Sequence, residues 1–310
     1  MRSSAQRIDG ARVLVADHDP SFLRHVSRAL RLELGLEVET AQDGSRALEL
    51  LQNRSYRLLV AGTGMAGVPW FDLVQFLREL RPGTRYALVS DTPPDDHFRL
   101  ALEYDVGSIL AKKGGRPLRD LVETCEALLT EDVFGLDRWL GETHEIHGRQ
   151  IGNASEIQRV ADEVSAWFPA GEIRRTFRRV LVEVVTNAVY YGSLDENGSH
   201  KMDWETDIRL ARDQVVYVFF GRGDSGFGCS VVDRGGRLSK QQVLTWLEAN
   251  RASGGILLND ENHGRGLHIT RRSLDRVIIN IRSGDRTEVI LLRDDSSTRP
   301  PQRPLLVHEF

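Results

Sequence analysis

Three short groups of polar and glycine residues in the C-terminal half have the types and order of a nucleotide site. Residues 183–188 read Glu-Val-Val-Thr-Asn-Ala, residues 233–236 read Asp-Arg-Gly-Gly, and residues 264–267 read Gly-Arg-Gly-Leu. Carboxylate and amide groups can bind the polar edge of a ligand, while glycine turns let phosphate approach backbone amides. Together the three groups predict a site for a nucleotide.

The first group lies on a predicted helix. Apolar residues recur there at the 3.6-residue spacing of one buried stripe, from Ile173 to Ala188. Glu183 and Asn187 border that stripe, and residues four apart lie above one another on a helix. We therefore expect a carboxylate and an amide to project together from one helix edge.

The second group follows a predicted strand. Asp233 ends the apolar run 227–232 and opens a turn that contains Gly235 and Gly236. A carboxylate at a buried strand end is suited to accept a hydrogen bond from a ligand amine.

The third group precedes a predicted helix. Gly264, Arg265 and Gly266 come before Leu267, where an amphipathic segment begins. Unpaired amides and the helix dipole favour phosphate at such a helix start. The sequence thus predicts adenine near Asp233 and phosphates near the second glycine turn.

Residues 150–294 resemble the Bergerat-type ATPases of histidine kinases and gyrase, and within them the bacterial anti-sigma-factor serine kinases. The stretch 264–277, which reads Gly-Arg-Gly-Leu-His-Ile-Thr-Arg-Arg-Ser-Leu-Asp-Arg-Val, is most like the anti-sigma branch. The resemblance implies a switch that uses ATP and Mg²⁺.

The resemblance also implies a role for each matching residue. Glu183 would activate the nucleophile, Asn187 would hold Mg²⁺, and Asp233 would bind the adenine amino group. The turn 264–267 would wrap the phosphates, and Thr287, just before an apolar run, would support adenine. The family's first glycine box continues Asp-x-Gly-x-Gly. Here Arg237 holds the second glycine place and Gly236 falls one residue early, so we expect a reshaped loop.

The N-terminal half alternates short apolar runs with amphipathic segments over residues 11–128, which predicts five βα repeats around a parallel sheet. Pieces of it resemble a response-regulator receiver domain. Residues 15–20 match the acidic turn of that family, Ser90 ends the fourth strand, and Lys112 follows the fifth.

The phosphoacceptor aspartate of that family is missing. Gly62 stands in its place, and the second acid of the metal pair is His18. An aspartyl phosphate needs a carboxylate nucleophile. We therefore predict a pseudo-receiver that serves regulation or dimerisation, in which Asp17 and Asp19 cap or hydrate the sheet edge.

The predicted fold class is α/β. A five-stranded, parallel, doubly wound receiver-like domain is followed by an α/β two-layer sandwich with a mixed sheet, the Bergerat ATP-binding fold. The predicted boundaries are a flexible N-terminus (1–10), the pseudo-receiver (11–128), an ordered connector (129–150), the ATPase-like domain (151–294) and a tail (295–310).

Composition limits the classes of partner that this chain is expected to bind. Of 310 residues, 40% are hydrophobic and 28% charged, with a net charge of −4, so bulk electrostatics supports neither nucleic-acid nor membrane binding. No run approaches the ~18 apolar residues of a spanning helix, and a cytoplasmic location is expected. Cys125 and Cys229 lie in apolar contexts typical of buried free thiols, and no structural metal is predicted.

Three further motifs resemble functional sites, but a simpler structural interpretation is favoured for each. Residues 143–146 resemble the opening of a histidine-kinase phosphoacceptor box, but the 43 positions from His144 to Asn187 (187 − 144) are too few for its helical hairpin. The glycine pattern at 221–226 joins two predicted strands and indicates a hairpin turn rather than a dinucleotide loop. The arginines at 174–179 fit a solvated helix face better than a site for an acidic partner.

Three functions remain open at this point. The leading hypothesis is a serine kinase or anti-sigma-factor-like switch that acts on an anti-sigma-factor antagonist or a sigma factor, as a homodimer, with residues 238–263 as a lid. The second is an ATP-gated protein that sequesters a partner without phosphoryl transfer. The third is an atypical histidine kinase that uses His144.

Overall fold

The computed structural model describes residues 8–113, 116–192, 208–252, 265–294 and 302–310. Contacts divide the chain into two compact units, with a boundary between Val133 and Phe134. Residues Val307–Phe310 belong to the second unit. Among the helices in these described ranges, none combines the length and apolar character that a bilayer crossing needs.

The first unit contains a parallel sheet in the order β2-β1-β3-β4-β5. Its strands are β1 (Arg12–Ala16), β2 (Glu37–Ala41), β3 (Leu58–Gly62), β4 (Arg85–Ser90) and β5 (Ser108–Ala111). Its helices are α1 (Pro20–Leu34), α2 (Gly44–Asn53), α3 (Trp70–Leu80), α4 (Phe98–Tyr104) and α5 (Pro117–Thr130). Every residue of β3 and β5 is buried, as expected for parallel strands covered on both faces. The predicted five βα repeats are confirmed.

The turn after β1 shows why helix α1 begins where it does. Asp19 is extended and accepts a hydrogen bond from Ser21 N at 2.8 Å, and Pro20 occupies the first helical position. Gly35 ends the helix with φ 67°, a left-handed conformation that glycine adopts without strain. Asp19 therefore caps helix α1, whereas the sequence predicts a role for it at the sheet edge.

The second unit contains a sheet in the order β9-β10-β8-β7-β6. Its strands are β6 (His144–Ile151), β7 (Val216–Gly223), β8 (Gly226–Asp233), β9 (Arg276–Arg282) and β10 (Arg286–Arg293). Its helices are α6 (Asp137–Leu140), α7 (Ile157–Trp167), α8 (Glu172–Tyr191), α9 (Lys240–Ala252) and α10 (Arg265–Ser273). Strands β7 and β8 form a hairpin in which Gly223 faces Gly226, which confirms the predicted hairpin turn.

Helices α7 and α8 cover one face of this second sheet. Trp167 meets Phe220 of β7 at 5.9 Å between ring centroids, and Phe168 stacks on Phe177 at 4.0 Å. Successive side chains of a strand point to opposite faces. We call the side that carries Phe220 the helix face, and the side that carries Phe219 the open face.

Two features of the second unit differ in detail from the sequence expectations. Among strands β6 to β10, each pairing that the structure describes is antiparallel, whereas the sequence predicts a mixed sheet. The predicted connector 129–150 contains most of strand β6, which begins at His144 and ends at Ile151, and all eight residues of this strand pair with β7.

The C-terminal segment forms strand β11 (Leu305–Glu309). Leu305 and Leu306 pair with β5 in the first unit. In the second unit, His308 Nδ1 lies 2.9 Å from Asn280 Oδ1, and Phe310 N donates to Ile281 O at 3.1 Å. The apolar end of the tail is thus docked.

Candidate functional site

Helix α8 positions the first predicted group. Its apolar stripe is buried from Phe177 to Tyr190, while Glu183 is half-buried and Asn187 exposed. Asn187 Nδ2 donates to Glu183 Oε1 at 3.4 Å. The two side chains therefore project from one edge of α8, as the four-residue spacing predicts.

Helix α10 brings the third group against the first. A Cβ atom on Gly266 would lie 1.7 Å from Glu183 Oε1 and 2.2 Å from Glu183 Cδ, a contact that no other residue could tolerate unchanged. Arg265 begins α10, and Leu267 is half-buried within it. Gly264 lies outside the described residues. The start of α10 therefore adjoins the Glu183 carboxylate.

The second group folds around its own carboxylate. Asp233 is the last residue of β8, and its Oδ1 accepts hydrogen bonds from Gly235 N at 2.9 Å and Gly236 N at 3.2 Å. Thr287 of β10 lies directly opposite in the sheet register. The sheet therefore brings Asp233 and Thr287 side by side.

Burial controls the protonation of Asp233, whose exposed fraction is 9%. Loss of hydration raises the pKa of this carboxyl to about 6, although hydrogen bonds from Gly235, Gly236 and Thr287 lower it. Thr287 Oγ1 is buried beside this carboxyl. A buried acceptor beside a buried hydroxyl is suited to a small polar ligand group.

One residue that no sequence pattern indicates connects the first group, on helix α8, with the second group, around Asp233. Gly192 follows the last residue of α8, and a Cβ there would lie 2.7 Å from Asp233 Cβ. A Cβ on Gly235 would in turn lie 1.6 Å from Gly192 O. Helix α8 thus touches the Asp233 turn at its C-terminal end and α10 through Glu183.

The early glycine of the first box also has a structural reason. Gly236 has φ 55°, and a Cβ there would lie 2.4 Å from Arg282 O and 2.7 Å from Arg286 N. Its own carbonyl accepts a hydrogen bond from Gly284 N at 3.0 Å. The loop after Asp233 therefore packs against the turn between β9 and β10, which residue 236 reaches only as glycine.

In the first unit, the place of the missing phosphoacceptor is filled by another side chain. A Cβ on Gly62 would lie 2.1 Å from Asp17 Oδ2. The same oxygen lies 2.7 Å from Lys112 Nζ, which also reaches Asp91 Oδ2 at 2.8 Å. Asp17 is fully buried and Lys112 nearly so. The acidic turn is therefore neutralised by the lysine that follows β5.

Ser90, at the end of β4, belongs to a separate hydrogen-bond network. Its hydroxyl lies 2.8 Å from His97 Nε2 and 3.2 Å from Thr92 Oγ1, and it accepts from Thr63 Oγ1 at 3.1 Å. Burial lowers the pKa of His97, so its neutral form is favoured near pH 7. Protein groups thus already engage the polar side chains at the ends of β4 and β5.

The remaining candidate residues have structural surroundings. His144 is the first residue of β6, not part of a helix, and its Nδ1 lies 3.0 Å from Gly141 O. Arg178 pairs with Asp162, and Arg179 donates to Ser273 Oγ at 3.0 Å. Cys125 and Cys229 are buried free thiols, as predicted.

Comparison with known proteins identifies the first unit. Residues 13–124 match the response regulator receiver domain family. A CheY-like receiver domain protein from Methanospirillum hungatei JF-1 is 24% identical, covering 40% of this chain and 96% of its own (TM-score 0.36). The receiver domain of Francisella response regulator 1452 is 22% identical, covering 39% of this chain and 98% of its own (TM-score 0.36). A search of curated protein sequences finds no match.

Proposed function

We propose that this signal-transduction regulator, with a receiver domain at residues 13–124, is an ATP–Mg²⁺-dependent serine-protein kinase. It would act as an anti-sigma-factor-like switch on an anti-sigma-factor antagonist, and the receiver domain would serve regulation or dimerisation without phosphotransfer. One observation carries the proposal. Helix α8 contacts the Asp233 turn through Gly192 and α10 through Glu183, so the three groups converge on one helix.

The proposed adenine end is the pair Asp233 and Thr287. Asp233 Oδ1 already accepts two backbone amides, and Oδ2 would accept the adenine amine. The Thr287 hydroxyl, buried beside it, supplies a second polar group for the base. Both features favour a planar ligand with a donor at its edge.

The proposed phosphate end lies where α10 starts. Asn187 would hold Mg²⁺ through its amide oxygen, and Gly264, Arg265, Gly266 and Leu267 would surround the phosphates. Backbone amides at a helix start and a hard cation both stabilise phosphate oxygens. Gly235 and Gly236 would shape the opposite wall.

Glu183 is the proposed general base. Its carboxylate would take the hydroxyl proton of a partner's serine as that oxygen bonds to the γ-phosphorus. The bond from the γ-phosphorus to the β–γ bridging oxygen then breaks, and ADP leaves. Burial, and after it the charge of Glu183, raises the pKa of Tyr191, so the Glu183 carboxylate is close enough to Tyr191 to interact with it.

The test uses the full chain, γ-labelled ATP and partners that co-purify with it. We expect label on a partner serine with the wild type and none with Glu183→Ala, while both bind ATP. Asn187→Ala should lose the Mg²⁺-dependent part of ATP binding. ATP binding without label on any partner would refute the kinase.

The second candidate, ATP-gated sequestration of a partner, is favoured by one specific observation. Gly266 covers the Glu183 carboxylate so closely that no space remains between them for another group. This function predicts that ATP changes partner retention on an affinity column while no phosphate is transferred. Equal retention with and without ATP would exclude it.

A histidine kinase predicts acid-labile label on His144. The strand position of His144 disfavours this reaction, because a phosphoacceptor in a helical hairpin would be helical. Incubation with labelled ATP should therefore leave the chain itself unlabelled. A homodimer in the cytoplasm stays the prediction for assembly, which light scattering of the purified chain would check.

A further inference from the structure

Residues Phe134–Leu140, here called the strap, lie along the open face of the second sheet. Glu288 of β10 faces this side, since its neighbour Thr287 is opposite Asp233 on the helix face. Gly135 N donates to Glu288 Oε2 at 2.8 Å. At the other end of the strap, Leu140 O accepts from Ser225 N at 3.0 Å, in the turn between β7 and β8. The strap therefore runs from the β9–β10 hairpin to the β7–β8 turn.

The Phe134 ring contacts two arginine side chains of the β9–β10 hairpin. The guanidinium carbon of Arg286 lies 4.0 Å from the centre of the Phe134 ring, and that of Arg282 lies 5.2 Å from it. In the turn between these arginines, Asp285 Oδ2 lies 3.9 Å from Arg282 Nη1 and 3.7 Å from Arg286 Nε. Each cation over a ring contributes roughly 0.5–2 kcal/mol, so this contact restrains the turn.

The same turn supports the predicted nucleotide loop. Gly284 N donates to Gly236 O at 3.0 Å, and a Cβ on Gly236 would lie 2.4 Å from Arg282 O. Gly236 N in turn donates to Asp233 Oδ1. A continuous set of contacts therefore joins Phe134 to the Asp233 carboxylate through the hairpin turn.

Glu288 provides a second connection through the sheet itself. Its carboxylate is 2% exposed and is held by Gly135 N, while the next residue toward the N-terminus is Thr287. Because adjacent residues of a strand point to opposite faces, fixing Glu288 on the open face fixes the orientation of Thr287 on the helix face. The strap thus acts on both groups assigned to adenine.

We propose that Phe134 and Glu288 are positioning residues of the nucleotide pocket, and that the strap sets nucleotide affinity from the opposite face of the sheet. The strap directly follows Val133, the residue at which the first unit's N-terminal part ends. A restraint on this segment would therefore control ligand binding without touching the ligand. The inference rests on the proposed ATP site and adds to it a regulatory input.

The first test compares Phe134→Ala and Phe134→Leu with Phe134→Tyr in the full chain. Loss of the ring should weaken ATP binding about 5- to 30-fold, the equivalent of ~1–2 kcal/mol, whereas tyrosine should retain wild-type affinity. Phe219→Ala is the matched control, because its exposed ring also lies on the open face and stacks on Tyr217. Isothermal titration with ATP and Mg²⁺ measures the affinity.

The second test needs no nucleotide. Hydrogen exchange should speed up at least threefold at the amides of Gly236 and Gly284 in Phe134→Leu, but not in Phe219→Ala. If the wild type binds no ATP, the proposed function fails while hydrogen exchange still decides whether the strap controls the loop. Unchanged exchange in Phe134→Leu, or unchanged ATP affinity where the wild type binds, overturns the inference. Phe134→Leu keeps an apolar side chain, so it separates loss of the ring from loss of folding.

Discussion

At the scale of single residues, the burial of Asp233 makes its ionised form unfavourable in the folded state. Its pKa rises from 3.8 to about 6 on folding because its carboxylate loses hydration. The folded state therefore favours the protonated form of Asp233. The contribution of this preference to the free energy of unfolding is fully present below pH 4 and is lost as the pH rises through about 6. At pH 7 the loss is about 3 kcal/mol.

The substitution Asp233→Asn should separate these two effects. Asparagine keeps an oxygen for Gly235 N and Gly236 N but carries no charge, so we expect the free energy of unfolding to rise by ~1–3 kcal/mol at pH 7.5. The gain should vanish near pH 4. Urea unfolding at the two pH values measures it, and an equal effect at both would contradict the assigned cause.

The same carboxylate should give ATP binding a pH dependence. In the proposed site the ionised form would accept the adenine amine, so affinity should fall as the pH drops from 7.5 through about 6. Asp233→Asn should bind ATP weakly and with no such dependence. Titration between pH 5 and 8 checks this, with Glu183→Ala as the control that keeps the acid step.

A methyl group on Gly266 should disturb the junction of α8 and α10. Its Cβ would collide with the Glu183 carboxyl, so Gly266→Ala should lower the free energy of unfolding by ~1–3 kcal/mol. Removing the colliding atoms in Gly266→Ala/Glu183→Ala should restore most of this loss. Gly152→Ala, whose Cβ would meet Glu156 Oε2 at 3.8 Å, should change little. No recovery in the double variant, measured by urea unfolding, would refute the contact.

Sequence patterns located most of this chemistry at the residue scale. Period and spacing placed Glu183 and Asn187 on one helix edge and Asp233 at a strand end, and the structure confirms both placements. Gly192 was missed, because a single glycine after a helix has no spacing signal. Its role depends on the close approach of α8 to Asp233, which only the tertiary fold creates.

At the scale of elements, the residues that follow β1 and β5, Asp17 and Lys112, form a buried ion pair. Lys112→Met would leave the Asp17 carboxylate buried without its cation, which should cost about 3–5 kcal/mol in the first unit. Asp17→Asn/Lys112→Met should recover most of that loss, and Lys113→Met, at an exposed neighbour, should be near neutral. Thermal unfolding followed by circular dichroism distinguishes these outcomes. Similar losses in the single and double variants would show that the charge is not the cause.

Elements with regular patterns were predictable, and β6 was not. The buried runs of β1 and β5 gave their limits directly, since parallel strands covered on both faces are almost wholly apolar. Strand β6 is polar and largely exposed, so neither alternation nor hydrophobicity marks it. Pairing with β7 makes it a strand, and that pairing is a property of the sheet.

At the scale of the whole molecule, the last nine residues contribute to both units. Leu305 and Leu306 are buried against the first, while His308 and Phe310 bond to β9 in the second. Deleting residues 302–310 should therefore lower the unfolding temperature of both units, since each buried aliphatic side chain contributes ~1.5–3 kcal/mol. Gln302→Ala, which alters one polar contact to Asp91 O, should shift neither. Differential scanning calorimetry measures both, and a single shifted transition would contradict the shared role.

The close contact between Gly62 and Asp17 also limits how this receiver domain can evolve. An aspartate at position 62 would place its Cβ in the space of Asp17 Oδ2. That oxygen is also committed to Lys112. A substitution at Gly62 alone would therefore not place a free carboxylate there, because Asp17 and Lys112 would have to move or change with it. Substitutions at these three positions are coupled, so a change at one of them is tolerated only together with changes at the others.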